Sequence, residues 1–170
     1  MCRLWLHLGR GRLHMKIEPL MLAHDRGTFR CGIPSFDKYI RAQAGRDAAK
    51  SLAAIYVAEL PGGKIAGYYA LSCATVLLPD LLGSGGQRIV SRYPALTAAR
   101  LTRLAVDKRH RGQGYAGELL RDVVERLRAS PLKPMALIAE IQNEGARFFL
   151  EHAGFQSFVD QPNRAFRALH

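Results

Sequence analysis

Residues Arg109 to Gly114 read R-H-R-G-Q-G, between a strand pattern at Ala99–Val106 and a helix pattern at Tyr115–Ala129. A glycine-bearing turn that opens a helix leaves several backbone N–H groups without an internal partner. Those donors, the positive end of the helix dipole and nearby arginines together make an anion site. The anion that suits such a turn is a phosphate or pyrophosphate on a cofactor. The alternative is that Gly112 and Gly114 only turn the chain, because short glycine motifs are common.

The helix behind the turn is defined by its periodicity. Ala116, Leu119, Leu120, Val123, Val124 and Leu127 form one apolar face. Glu118, Arg121, Asp122, Glu125, Arg126 and Arg128 fill the others, and Ser130-Pro131 ends the pattern. Gly112 and Gly114 thus precede the first helical turn, where bare backbone can approach a ligand. The string Gly112-Gln-Gly114-Tyr-Ala-Gly117 also spells the dinucleotide fingerprint G-x-G-x-x-G. Glu140 even lies near the end of the next strand pattern, where a ribose-binding acid belongs. The flank argues against that reading. Asp107 to Arg111 separate the first glycine from the strand, and too little chain follows to complete a doubly wound sheet.

The elements that must position this turn follow from the rest of the chain. Lys16–Leu20 forms a short first strand, and Ser35 is a candidate N-cap for a helix from Phe36 to Ala44. Ala53–Leu60 and Ile65–Ala74 read as a hairpin closed by Pro61-Gly-Gly-Lys64. Leu77–Pro94 is loop-rich, with room for a short helix around Pro79–Leu82. After the long helix come a buried strand at Met135–Ile141, a short helix at Gly145–His152, and final strands at Phe155–Val159 and Ala165–Leu169. The predicted fold class is α/β (α+β), a mixed sheet flanked by helices.

A length of 170 residues fits one domain, and 48% hydrophobic residues exclude a disordered chain. No apolar run reaches the length of a membrane span. Cys2, Cys31 and Cys73 are widely spaced and odd in number, neither a disulfide framework nor a zinc pattern, which fits a reducing cytoplasm. The six histidines show no metal-binding spacing, so no metal is expected. Residues 1–14 carry Arg3, Arg10 and Arg12, no acid, and no signal-peptide core. They are expected to form an unstructured leader ahead of one domain at 15–170, with Met15 as the natural start. The net charge is +11; those three arginines leave +8 for the remainder. An anionic partner larger than a cofactor, RNA first, fits that balance, and so does a merely soluble arginine-rich surface.

These elements in this order, with R-H-R-G-Q-G at the strand–helix joint, resemble the GNAT-type N-acetyltransferases. The family motif Arg/Gln-x-x-Gly-x-Gly/Ala is matched by Arg109, Gly112 and Gly114. A second motif is matched downstream by Asn143, Ala146, Phe149, Gly154 and Phe155. The resemblance implies a mostly antiparallel central sheet and acetyl-coenzyme A as cofactor. Backbone groups of Leu104, Ala105 and Val106 would line its pantetheine arm. Arg109, Arg111, Gly112, Gln113, Gly114, Tyr115 and Ala116 would hold the pyrophosphate. Asn143 would contact the lower arm, or simply cap the helix that follows.

A narrower resemblance spans Ile17–Leu169. F-R-C-G from Phe29, Ser35-Phe-Asp-Lys-Tyr-Ile40, I-A-G-Y-Y-A-L-S from Ile65, Arg92-Tyr-Pro94, L-T-R-L-A-V-D from Leu101 and Asp160-Gln-Pro-Asn-Arg164 look like the acetyltransferase toxins of bacterial toxin–antitoxin pairs. This resemblance implies acetylation of the amino group of aminoacyl-tRNA, a ribbon-helix-helix antitoxin as partner, DNA contact only through that antitoxin, and a homodimer. Arg41, Arg46, Arg92 and Arg103 are the candidate substrate-binding residues. Two alternatives stay open: acetylation of a small amine or protein amino group, and a catalytically weakened member that serves its antitoxin in repression.

The chain departs from the family at one place. Related enzymes carry a tyrosine four residues before the closing Gly-Phe, where it protonates the departing thiolate. Leu150 stands there, preceded by Phe148 and Phe149, and none has a proton to give. Tyr115 is the other hydroxyl near the turn, and the catalytic acid is left unassigned. A missing general acid costs about 10²–10⁴-fold in rate.

Overall fold

The computed structural model describes residues 15–77, 95–158 and 161–169. The expected leader at 1–14, the loop at 78–94 with its short helix, and Arg92 lie outside the described residues. The elements are β1 (Lys16–Pro19), α1 (Pro34–Ala42), α2 (Ala44–Ala49), β2 (Ala54–Leu60), β3 (Lys64–Leu77), β4 (Ala95–Val106), α3 (Tyr115–Ala129), β5 (Ala136–Glu140), α4 (Glu144–His152), β6 (Gln156–Ser157) and β7 (Arg164–Ala168). The strands form one sheet in the order β1-β2-β3-β4-β5-β7-β6. Only β4 and β5 pair in parallel; every other neighbour is antiparallel. The mixed, mostly antiparallel sheet expected from the sequence is therefore present.

Several element boundaries differ for identifiable reasons. Helix α1 begins at Pro34, and Ser35 lies inside it. Proline has no N–H to lose in the first turn, so it opens the helix and displaces the cap to Ile33. Helix α2 is not legible in the sequence, because six residues are too few to show a helical period. Strand β4 starts at Ala95, earlier than its hydrophobic run, because it continues along β3 through Thr97↔Thr75 and Ala95↔Leu77. The last hairpin is anchored by only two residues of β6.

The two faces of the sheet carry separate cores. On one face Leu71, Leu101, Leu137 and Ala139 pack against Leu119, Leu120, Val123 and Val124 of α3 and Leu150 of α4. On the other, Val57, Tyr68 and Ala70 pack against Phe36, Tyr39 and Ile40 of α1. Along β5, strand alternation sends Ala136 and Ile138 to this second face.

One irregularity shapes the function. Strands β4 and β5 are neighbours only from Ala98↔Ala136 to Leu101↔Ala139. Just beyond, Ala70 of β3 opposes Arg103 while Leu71 opposes Leu101, so Thr102 is bulged out of the β3–β4 ladder. The Thr102 hydroxyl donates to the Ala70 carbonyl at 3.1 Å. From Thr102 to Val106, β4 follows β3 and leaves β5, which opens a wedge in the middle of the sheet.

Candidate functional site: a groove through the sheet

The wedge is a groove of about 360 Å³. One mouth is lined by Ala116 of α3 and by Ala146, Phe149 and Leu150 of α4. The other is lined by Cys31, Ile33 and Phe36 on the α1 side. Leu101 to Val106 of β4 form one wall, and Ala139 and Glu140 of β5 the opposite one. The groove therefore passes from one face of the sheet to the other. Beyond Leu101 the β4 edge that faces β5 has no strand partner among the described residues, so its amides can bond an extended ligand.

The turn lies at the α3 mouth. Gly112 has φ 72° and Gly114 φ 87°, left-handed backbone that glycine adopts without a steric penalty. A Cβ at either position would meet open space, so both present bare backbone outward. Among the described residues, the N–H groups of Gly112, Gln113 and Gly114 make no hydrogen bond, and α3 adds the unpaired donors of its first turn. This cradle suits a pyrophosphate, and the free β4 edge suits a pantetheine arm carrying amide groups. The residues present thus fit coenzyme A.

Not every residue named for the cofactor points at it. Arg109 turns its guanidinium inward, bonding both oxygens of buried Asp107 at 2.9 Å and the Thr28 carbonyl at 3.1 Å. It shapes the turn through Nε and Nη2, while the side chain stays about half exposed at 54%. Arg111 lines the groove and donates to the Cys31 carbonyl. Asn143 caps α4, its Oδ1 accepting from the Ala146 N–H at 2.8 Å. Its capping role is therefore real, and its amide N–H₂ is left for other contacts. Tyr115 is buried among the α3 core residues, and burial raises its hydroxyl above the ordinary value. It is absent from the groove lining, which does not favour it as a proton donor.

The α1 mouth carries the basic residues. Arg103 lies flat on Tyr39 with its guanidinium carbon 3.7 Å from the ring centre, and 5.7 Å from that of Phe36. Its buried Nε has no hydrogen-bond partner. Arg41 and Arg46 project from α1 and α2, which cover this face; Arg41 donates to the Asp37 carbonyl of its own helix and Arg46 to the Ala42 carbonyl at the end of α1. The loop at this mouth is fixed by buried Asp37, which accepts from the Cys31 N–H at 2.7 Å and the Gly32 N–H at 3.3 Å. Sequence reasoning does not single out Cys31, Ile33, Phe36 or the Tyr39 platform. Cys31, Phe36 and Tyr39 fall in segments that carry the toxin resemblance, but nothing local marks them or Ile33 as groove or platform residues.

Leu150 occupies both environments that its type allows. It is buried in the α3–α4 core and it lines the groove. Away from the groove, Glu18, His24 and Glu59 cluster closely enough to suggest a cation site. The His24 Nδ1 accepts from the Met21 N–H at 2.9 Å, so Nε2 carries the proton and donates to Glu18 at 3.0 Å. A donating Nε2 is not a metal ligand, and the cluster reads as a hydrogen-bonded latch at the start of the sheet.

A splayed parallel strand pair, with an anion-binding turn at the head of the next helix, defines an acyl-coenzyme A transferase site. The description of the acetyltransferase (GNAT) family matches residues 22–155, and the chain belongs to that family. Acetyl-coenzyme A is therefore its acetyl donor. The chain is 29% identical over 142 residues to the tRNA-acetylating toxin of Mycobacterium tuberculosis strain ATCC 25618 / H37Rv, covering 82% of this chain and 83% of that protein. Its fold is similar to a tyrosine-to-phenylalanine mutant of KacT, with a TM-score of 0.82, 26% identity, and coverage of 91% and 95% of the two chains. It is also similar to AtaT complexed with acetyl-methionyl-tRNAfMet, with a TM-score of 0.82, 24% identity, and coverage of 91% and 94%.

Proposed function

We propose that this protein acetylates the amino group of aminoacyl-tRNA and so blocks translation, as a toxin held by an antitoxin. The observation that carries the reading is the two-mouthed groove. Its α3 mouth offers unpaired backbone donors, and its α1 mouth offers Arg103 on an aromatic platform beside the basic helices α1 and α2. The similarity to a protein named tRNA-acetylating toxin supports the same substrate. A ribbon-helix-helix antitoxin, DNA contact only through it, a homodimer and a cytoplasmic location belong to this reading.

Acetyl-coenzyme A supplies an acetyl group already activated as a thioester. The backbone of Arg111 to Ala116 binds the pyrophosphate, and the free edge of Leu104, Ala105 and Val106 orients the arm in the wedge. Arg103 is anchored against Tyr39, so its remaining donors can face a phosphate or ester oxygen of the acceptor without first being ordered. Phe149 and Leu150 exclude water from the α4 side.

The test is acetyl transfer to a pool of charged tRNA, with mass spectrometry of the released 3′-terminal nucleoside. N-acetylated aminoacyl-adenosine is the expected product. Acetylation of free amines or proteins alone would transfer the function to those acceptors. One observation favours a second reading. The α4 side of the groove carries no proton-donating side chain among the described residues, which fits a slow enzyme that works mainly as an antitoxin-binding partner.

A further inference from the structure

Among the described residues, Glu140 is the one acidic side chain that lines the groove. Strand alternation fixes its direction. Leu137 and Ala139 pack toward α3, whereas Ala136 and Ile138 pack on the opposite face. Glu140 follows Ile138 in that alternation and stands on the face covered by α1. Arg103 stands on the same face of β4, held by Tyr39. The two residues therefore flank the acceptor mouth from opposite walls of the wedge. Glu140 is exposed, and among the described residues its carboxylate makes no ion pair or hydrogen bond.

The other groove side chains offer no basic proton acceptor. Arg103 and Arg111 are donors only. Burial, reinforced by the Asp37 side chain, pushes the Cys31 thiol up to about 11, so it stays protonated. Phe149 and Leu150 have no polar atom. The charged neighbours matter as much. Arg103 and Arg111 line the groove, and Arg164 of β7 stands directly opposite Glu140 in register. Arg100 of β4 stands on this sheet face as well, two residues beyond Ala98, while the Arg164 guanidinium lies over the Phe158 ring. The cations on this face repel an incoming ammonium, and the Glu140 carboxylate offsets them at the groove.

We propose that Glu140 is a catalytic residue: its carboxylate receives the ammonium of the acceptor and removes one proton from it. One N–H bond of the ammonium breaks, one O–H bond forms on the Glu140 carboxyl, and the nitrogen keeps the electron pair with which it attacks. The exposed carboxyl then returns the proton to water. The inference rests on the acetyltransferase reading and applies to whichever primary amine is the acceptor.

The test compares Glu140→Gln and Glu140→Asp with the parent, as full chains, from pH 6 to 9. Acceptors are a charged-tRNA pool and, separately, a panel of free amines and amino-acid esters. For Glu140→Gln, kcat/KM on the acceptor should fall at least about tenfold near pH 6.5. The deficit should shrink as pH rises and the free amine no longer needs a proton acceptor, and Glu140→Asp should recover part of it. Binding of puromycin, an aminoacyl-adenosine amide with a free α-amine, should weaken in Glu140→Gln at pH 6.5 and match the parent at pH 9. Acetyl-coenzyme A affinity and melting temperature should not change. A deficit equal at every pH, no deficit, or one that tracks lost stability would overturn the proposal and leave Glu140 as a partner of Arg164. A deficit seen only on free amines sinks the tRNA reading and keeps Glu140. Transfer to no acceptor at any pH overturns both.

Discussion

Asp107 and Arg109 form a two-point pair that sets the geometry of the cofactor turn. The Asp107 carboxylate is fully buried and accepts from Arg109 Nε, Nη2 and backbone N–H, and from the Arg30 N–H at 3.0 Å. It thereby ties the segment before α1, the end of β4 and the turn into one unit. The family motif arginine thus holds the turn together through Asp107.

Burial alone would raise the Asp107 carboxyl, but the Arg109 guanidinium and the two backbone donors outweigh it and hold the group well below the usual carboxylate range. Since the folded-state value lies below the unfolded one, the stabilisation is present in full above the unfolded value near ~3.9. It is lost as pH falls below that point. Arg109→Ala, which leaves a buried carboxylate short of donors, should cost about 1–3 kcal/mol at neutral pH. Asp107→Asn should destabilise the protein at pH 7 and flatten its stability profile below about pH 4. Denaturant titrations at pH 7 and pH 3 check both, and an acid profile unchanged by Asp107→Asn would remove the pair from the stability of the turn.

Gly114→Val should abolish tight acetyl-coenzyme A binding while leaving the fold in place. A valine at φ 87° adopts a strained left-handed conformation, costing about 1–2 kcal/mol, and its side chain covers the donors of the turn. The open space around Gly114 means that no protein atom need move to admit it. Calorimetry with acetyl-coenzyme A reads the loss, and near-parental affinity would place the pyrophosphate elsewhere.

Arg41 and Arg46 are exposed and pair only with carbonyls, so replacing them tests the substrate surface without disturbing the core. The double variant Arg41→Glu/Arg46→Glu should weaken tRNA binding. It should also reduce the slope of log affinity against log salt by somewhat under one for each phosphate that is no longer neutralised. Acetyl-coenzyme A affinity should not move. Arg103→Lys keeps the charge but loses the planar stack on Tyr39, and should lower acceptor affinity more than its conservative nature suggests. Filter binding across a salt series decides it; a parallel salt line for the double variant would detach α1 and α2 from RNA.

The sheet, the long helix and the turn are legible in the sequence because local patterns fix them. The α3 stripe has a helical period, Pro61-Gly-Gly is hairpin chemistry, and two glycines before a helix mark bare backbone. The wedge is not legible, because the bulge at Thr102 depends on the register between β3 and β4, where Ala70 and Thr102 meet from 32 residues apart. The inward turn of Arg109 is hidden for the same reason. Its partner Asp107 is close in sequence, but the burial that makes the pair matter comes from the distant segment around Thr28 and Arg30. In the sequence Glu140 is noticed only for a dinucleotide reading that the flank of the glycine motif argues against. Strand alternation alone places it on the α1 face, but only the splay of β5 from β4 gives it a groove to face.

Leu150 lines the α4 side of the groove and has no proton to donate. It is only 5% exposed and contributes both to the α3–α4 core and to the groove wall. A tyrosine there keeps the ring in the core and directs its hydroxyl into the groove, where a departing thiolate needs a proton. The phenol, with an ordinary pKa near ~10, is protonated at neutral pH. Added volume works against the substitution, since overpacking a core costs about 1–3 kcal/mol. The neighbouring groove gives the extra atoms somewhere to go. Leu150→Tyr should therefore raise single-turnover acetylation, by up to about 10²-fold, with acetyl-coenzyme A affinity nearly unchanged. Single-turnover kinetics on charged tRNA, with a thermal melt as control, separates the two roles of the position. A stable variant that is no faster would mean that water already serves the thiolate, and Leu150 would then be core alone.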